Sequence, residues 1–461
     1  MMSPSASNDM AIPRWNTLVF VLLTALLPAT VLVYGAVHPI SLAITYIVIG
    51  LGATVVLVAR LCGSRALLKI DLLSASLLLA SFYCLVQIIP FGTDSVEGTD
   101  VVFRKTISVD VFWTALTSVQ FLLMAAFLIL MQSLISIGNR LRIFVTVVVV
   151  FAVGYSFFAI LQSIISPGKI YGVYEVQGAS PFGSFVNRHN FAALTVMVLA
   201  TPLALVMGGG LERDRRFLFM VICGLLGTSV LLSGSRGGLV AMVAMVISIL
   251  LLVQRDRGKS KQSVRKQLVL VVILVSGVIG GIAFVGGENT FSRLAETAST
   301  EDISTNRLEI WGVTLEVIKE HLPFGAGFGA FRTAYAPFDA TSGIQRVEQA
   351  HNDYLQVVAD GGIPGILIGI GFLFGLSRTI RKALSVKDRT LRALAIGASC
   401  GVFAVLVHSL FDFTLHTTAV ALLFLSQLAI LSVISSYAGS ERKVSDESPD
   451  SPVVEFSSRQ D

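Results

Sequence analysis

Charged residues are scarce in this chain. Only 14% of its 461 residues are Asp, Glu, Lys or Arg, whereas about a quarter of a typical soluble domain is charged. Hydrophobic residues make up 54%, and the mean hydropathy is +0.79. This composition excludes an ordinary soluble domain and is typical of a membrane protein.

Cysteine is rare as well. The four cysteines are separated by long stretches of sequence, and no CxxC pair occurs. We therefore expect neither a disulfide nor a zinc site. The formal net charge of +5 does not indicate nucleic-acid binding, because the basic residues lie in short loops rather than in a stripe interleaved with aromatic residues.

Long apolar runs, by contrast, are abundant. A hydrocarbon layer about 30 Å thick needs roughly 20 apolar residues per helix, so the sequence predicts an all-α polytopic membrane protein with about twelve transmembrane helices. The predicted spans are 16–37, 41–61, 70–90, 111–135, 143–165, 190–207, 217–232, 238–253, 268–285, 354–376, 393–410 and 417–435.

These spans divide the chain into four parts. Residues 1–285 are predicted to form an N-terminal bundle of about nine helices, residues 286–352 a long periplasmic loop, and residues 353–436 about three C-terminal helices. Residues 437–461 are predicted to be a disordered cytoplasmic tail, since they carry little apolar surface to bury. Most of the 34 Lys and Arg residues fall in alternate loops, and this bias predicts that both termini are cytoplasmic.

The long loop contains one helical pattern, in NRLEIWGVTLEVIKEHLP. Its apolar positions recur at helical spacing and are Leu308, Trp311, Leu315, Ile318 and Leu322. The pattern predicts an amphipathic helix that lies on the membrane or the bundle without spanning it. Arg307 lies in the first turn, where the helix dipole disfavours a cation. Either an anionic ligand offsets this penalty, or the side chain is solvated and tolerates it.

A polar group precedes the next apolar run, in AHNDYLQVVADGGIPG. A helix beginning near Asn352 places Asn352, Gln356 and Asp360 on one stripe, and Gly362 with its neighbours is predicted to kink it. His351 stands at the start of this helix, where it either lines a site or caps the helix.

Two further outer turns carry basic side chains. SGSRGG places Arg236 on the side of the membrane where Arg is disfavoured, between glycines that allow close backbone approach to a ligand. NRHN places Arg188, His189 and Asn190 at a helix start. These residues either line a site or cap the helix, and the sequence favours neither alternative. Because a guanidinium fork matches phosphate oxygens, Arg236 and Arg307 indicate a phosphate site, with an interfacial Arg in a tight turn as the alternative.

His408, Asp412 and His416 have the i, i+4, i+8 spacing that could ligate a metal on one helix. However, a predicted helix break near Asp412 makes one continuous face doubtful. We therefore predict no metal site and prefer buried hydrogen bonding. FGAGFGAF follows a helix rather than a strand, so it is interpreted as a glycine turn that permits close backbone contact and not as a dinucleotide fingerprint.

In order and topology, these elements resemble the O-antigen ligase and polysaccharide polymerase superfamily of GT-C type membrane glycosyltransferases. The resemblance rests on GSRGG at 234–238, Arg307-x-x-x-Trp311, PFGAGFGAF, His351-Asn352-x-x-Leu355, HSLFDFTLH and GSFVNRHNFAAL. It implies transfer of a glycan from undecaprenyl diphosphate to an acceptor hydroxyl at the periplasmic face of the bacterial inner membrane, without a metal or other cofactor.

The resemblance also implies roles for single residues. Arg236 and Arg307 would bind the diphosphate and stabilise the charge that grows on it, and His351 would orient or deprotonate the acceptor hydroxyl. The predicted substrate-binding residues are Arg188, His189, Asn190, Asn352 and Trp311. The expected partners are the lipid-linked donor, a lipid A–core or growing polysaccharide acceptor, and the bilayer, with no nucleic acid.

The acceptor stays open at this point. A ligase would use lipid A–core, a polymerase a growing chain, and a third type of enzyme a protein hydroxyl; NRHNFAA and GAVHP resemble members that act in exopolysaccharide synthesis. A transporter of lipid-linked glycan is the alternative from another class. It predicts charged residues deep within helices and internal repeats, whereas the predicted spans are nearly free of charge.

Overall fold

The structure is a computed structural model that describes residues 14–64, 68–95, 102–176, 179–257, 307–339 and 347–447. The helices are α1 (Arg14–Leu32), α2 (Pro39–Leu61), α3 (Leu72–Gln87), α4 (Val111–Leu134), α5 (Asn139–Ile165), α6 (Arg188–Gly208), α7 (Arg213–Leu232), α8 (Arg236–Arg257), α9 (Arg307–His321), α10 (Phe331–Tyr335), α11 (Asp353–Ala383), α12 (Arg389–His408) and α13 (Thr418–Glu447). Two antiparallel hairpins accompany them, β1 (Gly92–Ser95) with β2 (Val102–Lys105) and β3 (Lys169–Ile170) with β4 (Tyr174–Glu175).

Ten of the described helices are long and apolar enough to cross a membrane, which confirms the predicted all-α polytopic class. The predicted span at 70–90 is a helix of 16 residues, α3, which is shorter than the roughly 20 residues that cross hydrocarbon. The predicted span at 268–285 lies outside the described residues. Helix α13 continues to Glu447, so the tail boundary predicted at residue 436 is too early; polar composition alone could not show that the helix continues.

Helices α6 and α12 form the centre of the bundle. Helix α6 is buried on all sides from Asn190 to Met207, as expected for a helix without a polar face. Glycines of α12 allow the two backbones to approach closely: a Cβ at Gly397 would lie 2.7 Å from the Cα of Thr201. This contact holds two helix ends in place, the start of α6 and the end of α12.

Several helix ends meet at one end of the bundle, where the segments that join the helices contact one another. These are the starts of α6, α8, α11 and α13 and the ends of α7 and α12. Gly35, which follows α1, also lies there, because a Cβ at this position would come within 2.9 Å of Thr417. The first described residue, Arg14, and the last, Glu447, therefore lie at the opposite end of the bundle.

Helix α9 forms where it was predicted, but the face that packs only partly matches the predicted one. Ile310, Thr314 and Val317 face the protein, whereas Leu308 is 77% exposed and Leu315 is also exposed. Of the predicted apolar face, Trp311 and Ile318 are half-buried, so only part of this face packs on the bundle; contact of the remainder with the membrane stays a prediction. Apolar residues occur on more than one side of this helix, and spacing alone cannot show which side meets the bundle.

A pair of glycines joins the segment after α9 to α11. Gly362 leaves helical geometry inside α11, with φ +56 and ψ −148, which confirms the predicted kink. Gly325, with φ +78, fits against it, and a Cβ on either glycine would collide with the opposing backbone. The Nε2 atom of Gln87 donates to the carbonyls of Phe324 at 3.1 Å and Asp360 at 2.9 Å. The predicted glycine turn is confirmed, and it ties α9 to the first half of α11.

Candidate functional site

One buried carboxylate, that of Asp412, lies at the centre of the polar groups at this end of the bundle. Its side chain is 1% exposed. His351 Nδ1 lies 3.4 Å from its Oδ1, while Arg307 Nη2 and His189 Nδ1 lie 3.8 and 3.9 Å from its Oδ2. Residues from four separate segments of the chain thus converge on one side chain.

The charge state of Asp412 follows from these neighbours. Burial alone would raise its pKa, but the contact with His351 and the charges of the surrounding histidines lower the pKa well below its usual range. The carboxylate is therefore ionised at neutral pH. A buried charge of this kind is tolerated only when it is paired, and Arg307 and the imidazoles provide the pairing.

The backbone holds His351 in an unusual conformation. Its φ is +51, in the left-handed region that a residue with a side chain adopts only at a cost. The preceding residue, Ala350, is fixed from two sides: its carbonyl accepts a hydrogen bond from Trp311 Nε1 at 3.0 Å, and its N–H donates to Gln356 Oε1 at 3.0 Å. These bonds hold the imidazole of His351 against Asp412.

Asn352 organises the start of α11. Its Oδ1 accepts hydrogen bonds from the N–H groups of Tyr354 and Leu355, and its Nδ2 donates to the carbonyl of Leu410. The amide thus caps α11 and joins it to the chain that follows α12. The Trp311 indole is likewise engaged with the backbone. A substrate contact for these two residues stays a prediction.

The turn SGSRGG, which joins α7 to α8, contacts both central helices. Ser235 Oγ lies 2.7 Å from His189 Nδ1, at the start of α6. Gly237 packs against the end of α12, where a Cβ would lie 2.9 Å from the Nε2 of His408. Arg236 is exposed as the first residue of α8. The turn therefore brings Arg236 to the end of the bundle that holds the buried carboxylate.

The start of α6 carries the three residues predicted from NRHN. Asn187 caps this helix by accepting a hydrogen bond from the N–H of His189. Arg188 reaches the turn after α7, with its Nη1 atom 3.6 Å from the position of a Cβ on Gly234. Asn190 is buried, and its Oδ1 has no hydrogen-bond partner within the described ranges. His189 belongs to the cluster, and direct substrate contact for the trio stays a prediction.

The spacing of His408, Asp412 and His416 does not form one face, because α12 ends at His408. The helix break predicted near Asp412 is confirmed. A different trio, His189, His408 and Asp412, places donor atoms within 4.8 Å of one another, a spacing that could hold a metal ion. Arg307 shares the carboxylate with this trio, and its fixed positive charge opposes a second cation there.

Sequence reasoning brought Arg307 and His351 to one site but did not predict the carboxylate that they share. Asp412 was considered as a metal ligand or, preferably, as a buried hydrogen-bonding group, but its partners were not predicted. The available signal was an acidic residue in a break between two apolar runs, a position where a charge is costly unless it is paired.

A comparison with known families finds a match for part of the chain. Residues 218–370 match a family model described as O-Antigen ligase. The matched range contains Arg236, Arg307 and His351, whereas His189 and Asp412 lie outside it. No curated protein matches the chain. The resemblance drawn from the motifs is confirmed over the matched range: residues 218–370 are similar to the O-antigen ligase family, and the chain is a multi-pass membrane protein.

Proposed function

We propose that the protein transfers a glycan from an undecaprenyl-diphosphate carrier to an acceptor hydroxyl. One observation carries this proposal: the buried carboxylate of Asp412 holds the guanidinium of Arg307 and the imidazole of His351 in one cluster. A cation suited to a phosphate leaving group and a base suited to a hydroxyl nucleophile are thereby positioned together.

Arg307 and Arg236 act on the donor in this proposal. During transfer the bond between the anomeric carbon of the sugar and the diphosphate oxygen breaks, and negative charge grows on that oxygen. Preorganised cations in a partly dry site stabilise this charge without a proton donor. The guanidinium of Arg307 is 20% exposed and its contact with Asp412 is 3.8 Å long, so it can turn towards a diphosphate.

His351 acts on the acceptor. The acceptor oxygen forms the new bond to the anomeric carbon and its proton moves to the imidazole, from which it passes to solvent. Because Nδ1 faces Asp412, Nε2 is the nitrogen that receives the proton, and the carboxylate stabilises the imidazolium that forms. The products are the glycosylated acceptor and undecaprenyl diphosphate.

Metal independence is part of the proposal, because Arg307 already supplies positive charge beside Asp412. Transfer should be unchanged after exhaustive treatment with EDTA. Loss of transfer with EDTA, restored by a divalent metal, would instead assign His189, His408 and Asp412 to a metal centre.

We further propose that the end of the bundle that carries the cluster faces the periplasm of the bacterial inner membrane and that both termini are cytoplasmic. The distribution of Lys and Arg supports this orientation. In intact cells, with the exposed Cys62 replaced by Ser, a membrane-impermeant maleimide should label His38→Cys and not Asp388→Cys. The reverse labelling would overturn the orientation.

Lipid A–core is the acceptor that we propose, and a growing lipid-linked polysaccharide is the second candidate. The second is favoured by NRHNFAA and GAVHP, which resemble members that act in exopolysaccharide synthesis.

The deciding assay uses purified protein in nanodiscs with an undecaprenyl-diphosphate-linked oligosaccharide, with and without lipid A–core. Glycan on lipid A–core would establish a ligase, and lengthened lipid-linked chains without that acceptor would establish a polymerase. Absence of donor consumption with both acceptors, together with movement of the lipid-linked glycan across vesicles, would overturn the enzyme proposal in favour of a transporter.

A further inference from the structure

A second His–Asp pair lies beside the first. His416 Nδ1 is 3.0 Å from Asp353 Oδ1. The two pairs are built reciprocally from the same two segments: one segment supplies His351 and Asp353, the other supplies Asp412 and His416, and each histidine contacts the aspartate of the opposite segment. The proposed transfer step uses only the first pair.

Hydrogen bonds fix how His416 is presented. Gln356 accepts a bond from the Ala350 N–H through its Oε1, so its Nε2 is the end that donates. That Nε2 bonds to Gln349 Oε1 and lies 3.4 Å from Nε2 of His416. A nitrogen that faces an amide donor carries no proton, so the proton of neutral His416 is on Nδ1, towards Asp353. In neutral His416, which prevails above the pKa of the folded protein, Nε2 is therefore an acceptor, on a side chain that is 41% exposed.

The two pairs differ in charge. Arg307 and three histidines lie around Asp412, whereas the described side-chain contacts of His416 are to Asp353, Gln356 and the ring of Phe413. A carboxylate repels a diphosphate, and neutral amides carry no net charge that would attract one. An imidazole acceptor beside amide donors matches hydroxyl groups, each of which both donates and accepts a hydrogen bond.

Phe413 places the second pair next to the proposed base. Its ring centroid is 4.8 Å from that of His351 and 6.3 Å from that of His416. A hydroxyl-rich ring held at His416 therefore lies one aromatic side chain away from His351, with an apolar surface between the two.

We propose that His416, Gln356 and Gln349 form the subsite that binds the acceptor sugar, with Asp353 as the positioning residue for His416. The ligand class is a neutral, hydroxyl-rich saccharide. This inference rests on the proposed function, because it concerns the acceptor of that transfer.

The test is an acceptor titration with the reconstituted protein, using lipid A–core or a lipid-linked repeat, whichever supports turnover by the wild type. His416→Ala and Gln349→Ala should each raise the acceptor KM about tenfold, the effect of losing one hydrogen bond, while the donor KM stays within about twofold. His38→Ala is the matched control, an exposed histidine at the same end of the bundle that should leave both constants unchanged. Gln349→Ala, at a half-buried position, carries the test if His416→Ala does not fold.

The positioning role of Asp353 is tested separately, with two substitutions. Asp353→Ala should raise the acceptor KM as His416→Ala does, whereas Asp353→Asn, whose Oδ1 still accepts from Nδ1–H, should restore it to within about threefold of wild type. An unchanged acceptor KM in all variants, an equal rise in the donor KM, or a loss of kcat with both KM values intact would overturn the subsite. If the wild type consumes no donor with either acceptor, the proposed function itself has failed, and the two failures are thereby distinguished.

Discussion

His351 Nδ1 lies 3.4 Å from Asp412 Oδ1, and the same carboxylate lies 3.8 Å from Arg307 through its other oxygen. One side chain that is 1% exposed therefore orients both the group proposed to take the proton and the group proposed to stabilise the leaving diphosphate. Removing its charge is expected to affect both halves of the reaction at once.

Asp412→Asn should lower kcat for transfer by about 100-fold or more, because the amide keeps the shape of the carboxylate but no longer stabilises the imidazolium or pairs Arg307. The measurement is initial rate in nanodiscs at saturating donor and acceptor. Asp388→Asn is the control, since this exposed residue caps α12 at the other end of the bundle and Asn also caps helices. Full activity of Asp412→Asn would contradict the proposed role of the carboxylate.

His351→Ala should abolish transfer while membrane insertion and donor binding persist, because the imidazole acts on the acceptor. Donor binding is measured separately with the lipid-linked oligosaccharide in the absence of acceptor. A fully active His351→Ala protein would remove the proposed base from the mechanism.

Arg307→Ala should lower kcat/KM for the donor by about 100-fold or more, and Arg307→Lys by about tenfold, because Lys restores the charge without the planar fork that matches phosphate oxygens. Arg332→Ala provides the control. This arginine lies in the same predicted loop as Arg307. Its Cζ atom is 3.8 Å from the centroid of the Trp113 ring, so its loss should leave transfer unchanged. Equal losses for Arg307→Ala and Arg332→Ala would indicate a general effect of loop charge.

Gly237→Ala should destabilise the protein by about 1–3 kcal/mol and reduce transfer, because the added Cβ would lie 2.9 Å from the buried ring of His408. The measurements are thermal unfolding in detergent and initial rate. Gly224→Ala in α7 is the matched control, since a Cβ there meets nothing within 4 Å. A Gly237→Ala protein with wild-type stability and rate would show that the turn and α12 are not tightly packed.

The thermal stability of the folded protein should fall as pH rises above about 6.5, the ordinary value for His. Burial alone would lower the pKa of His416, but the hydrogen bond and charge of Asp353, with the charge of Asp360, raise it above that value. The protonated pair therefore stabilises the folded state below the ordinary pKa, and this contribution is lost as pH rises through the higher folded pKa.

Asp412 does not contribute to that slope. Its pKa is lowered on folding, so its contribution is present above about pH 3.9 and is lost only in stronger acid. Melting temperatures between pH 6 and 9 should therefore decline for the wild type and become flatter for His416→Ala. An identical decline in both proteins would exclude His416 as its source.

The membrane spans could be predicted because the bilayer imposes them: hydrocarbon of fixed thickness requires long apolar helices, and Lys and Arg mark their ends. The kink at Gly362 and the turn at Gly325 could also be predicted, since glycine is favoured where the backbone turns sharply or meets another backbone. The packed face of α9 could not, because Ile310 and Leu308 offer apolar surface on different sides and only the fold selects one.

Within the site, the arginines and the histidine could be predicted from local context, as charges placed where charge is unfavourable. The carboxylate that Arg307 and His351 both contact could not be predicted. The pairing of Asp412 with His351 and of His416 with Asp353 depends on how two helix connections approach in space, and sequence spacing carries no information on that distance.

The residues of the cluster are widely separated along the chain, so transferring one segment of the chain into a related protein does not transfer the whole site. Residues 218–370 match the family model, yet His189 and Asp412 lie before and after that range. A chimaera that received only the matched residues would inherit Arg236, Arg307 and His351 without the carboxylate that contacts Arg307 and His351. Exchange of acceptor or donor preference between related chains will therefore require the start of α6 and the α12–α13 connection to be moved along with the loop.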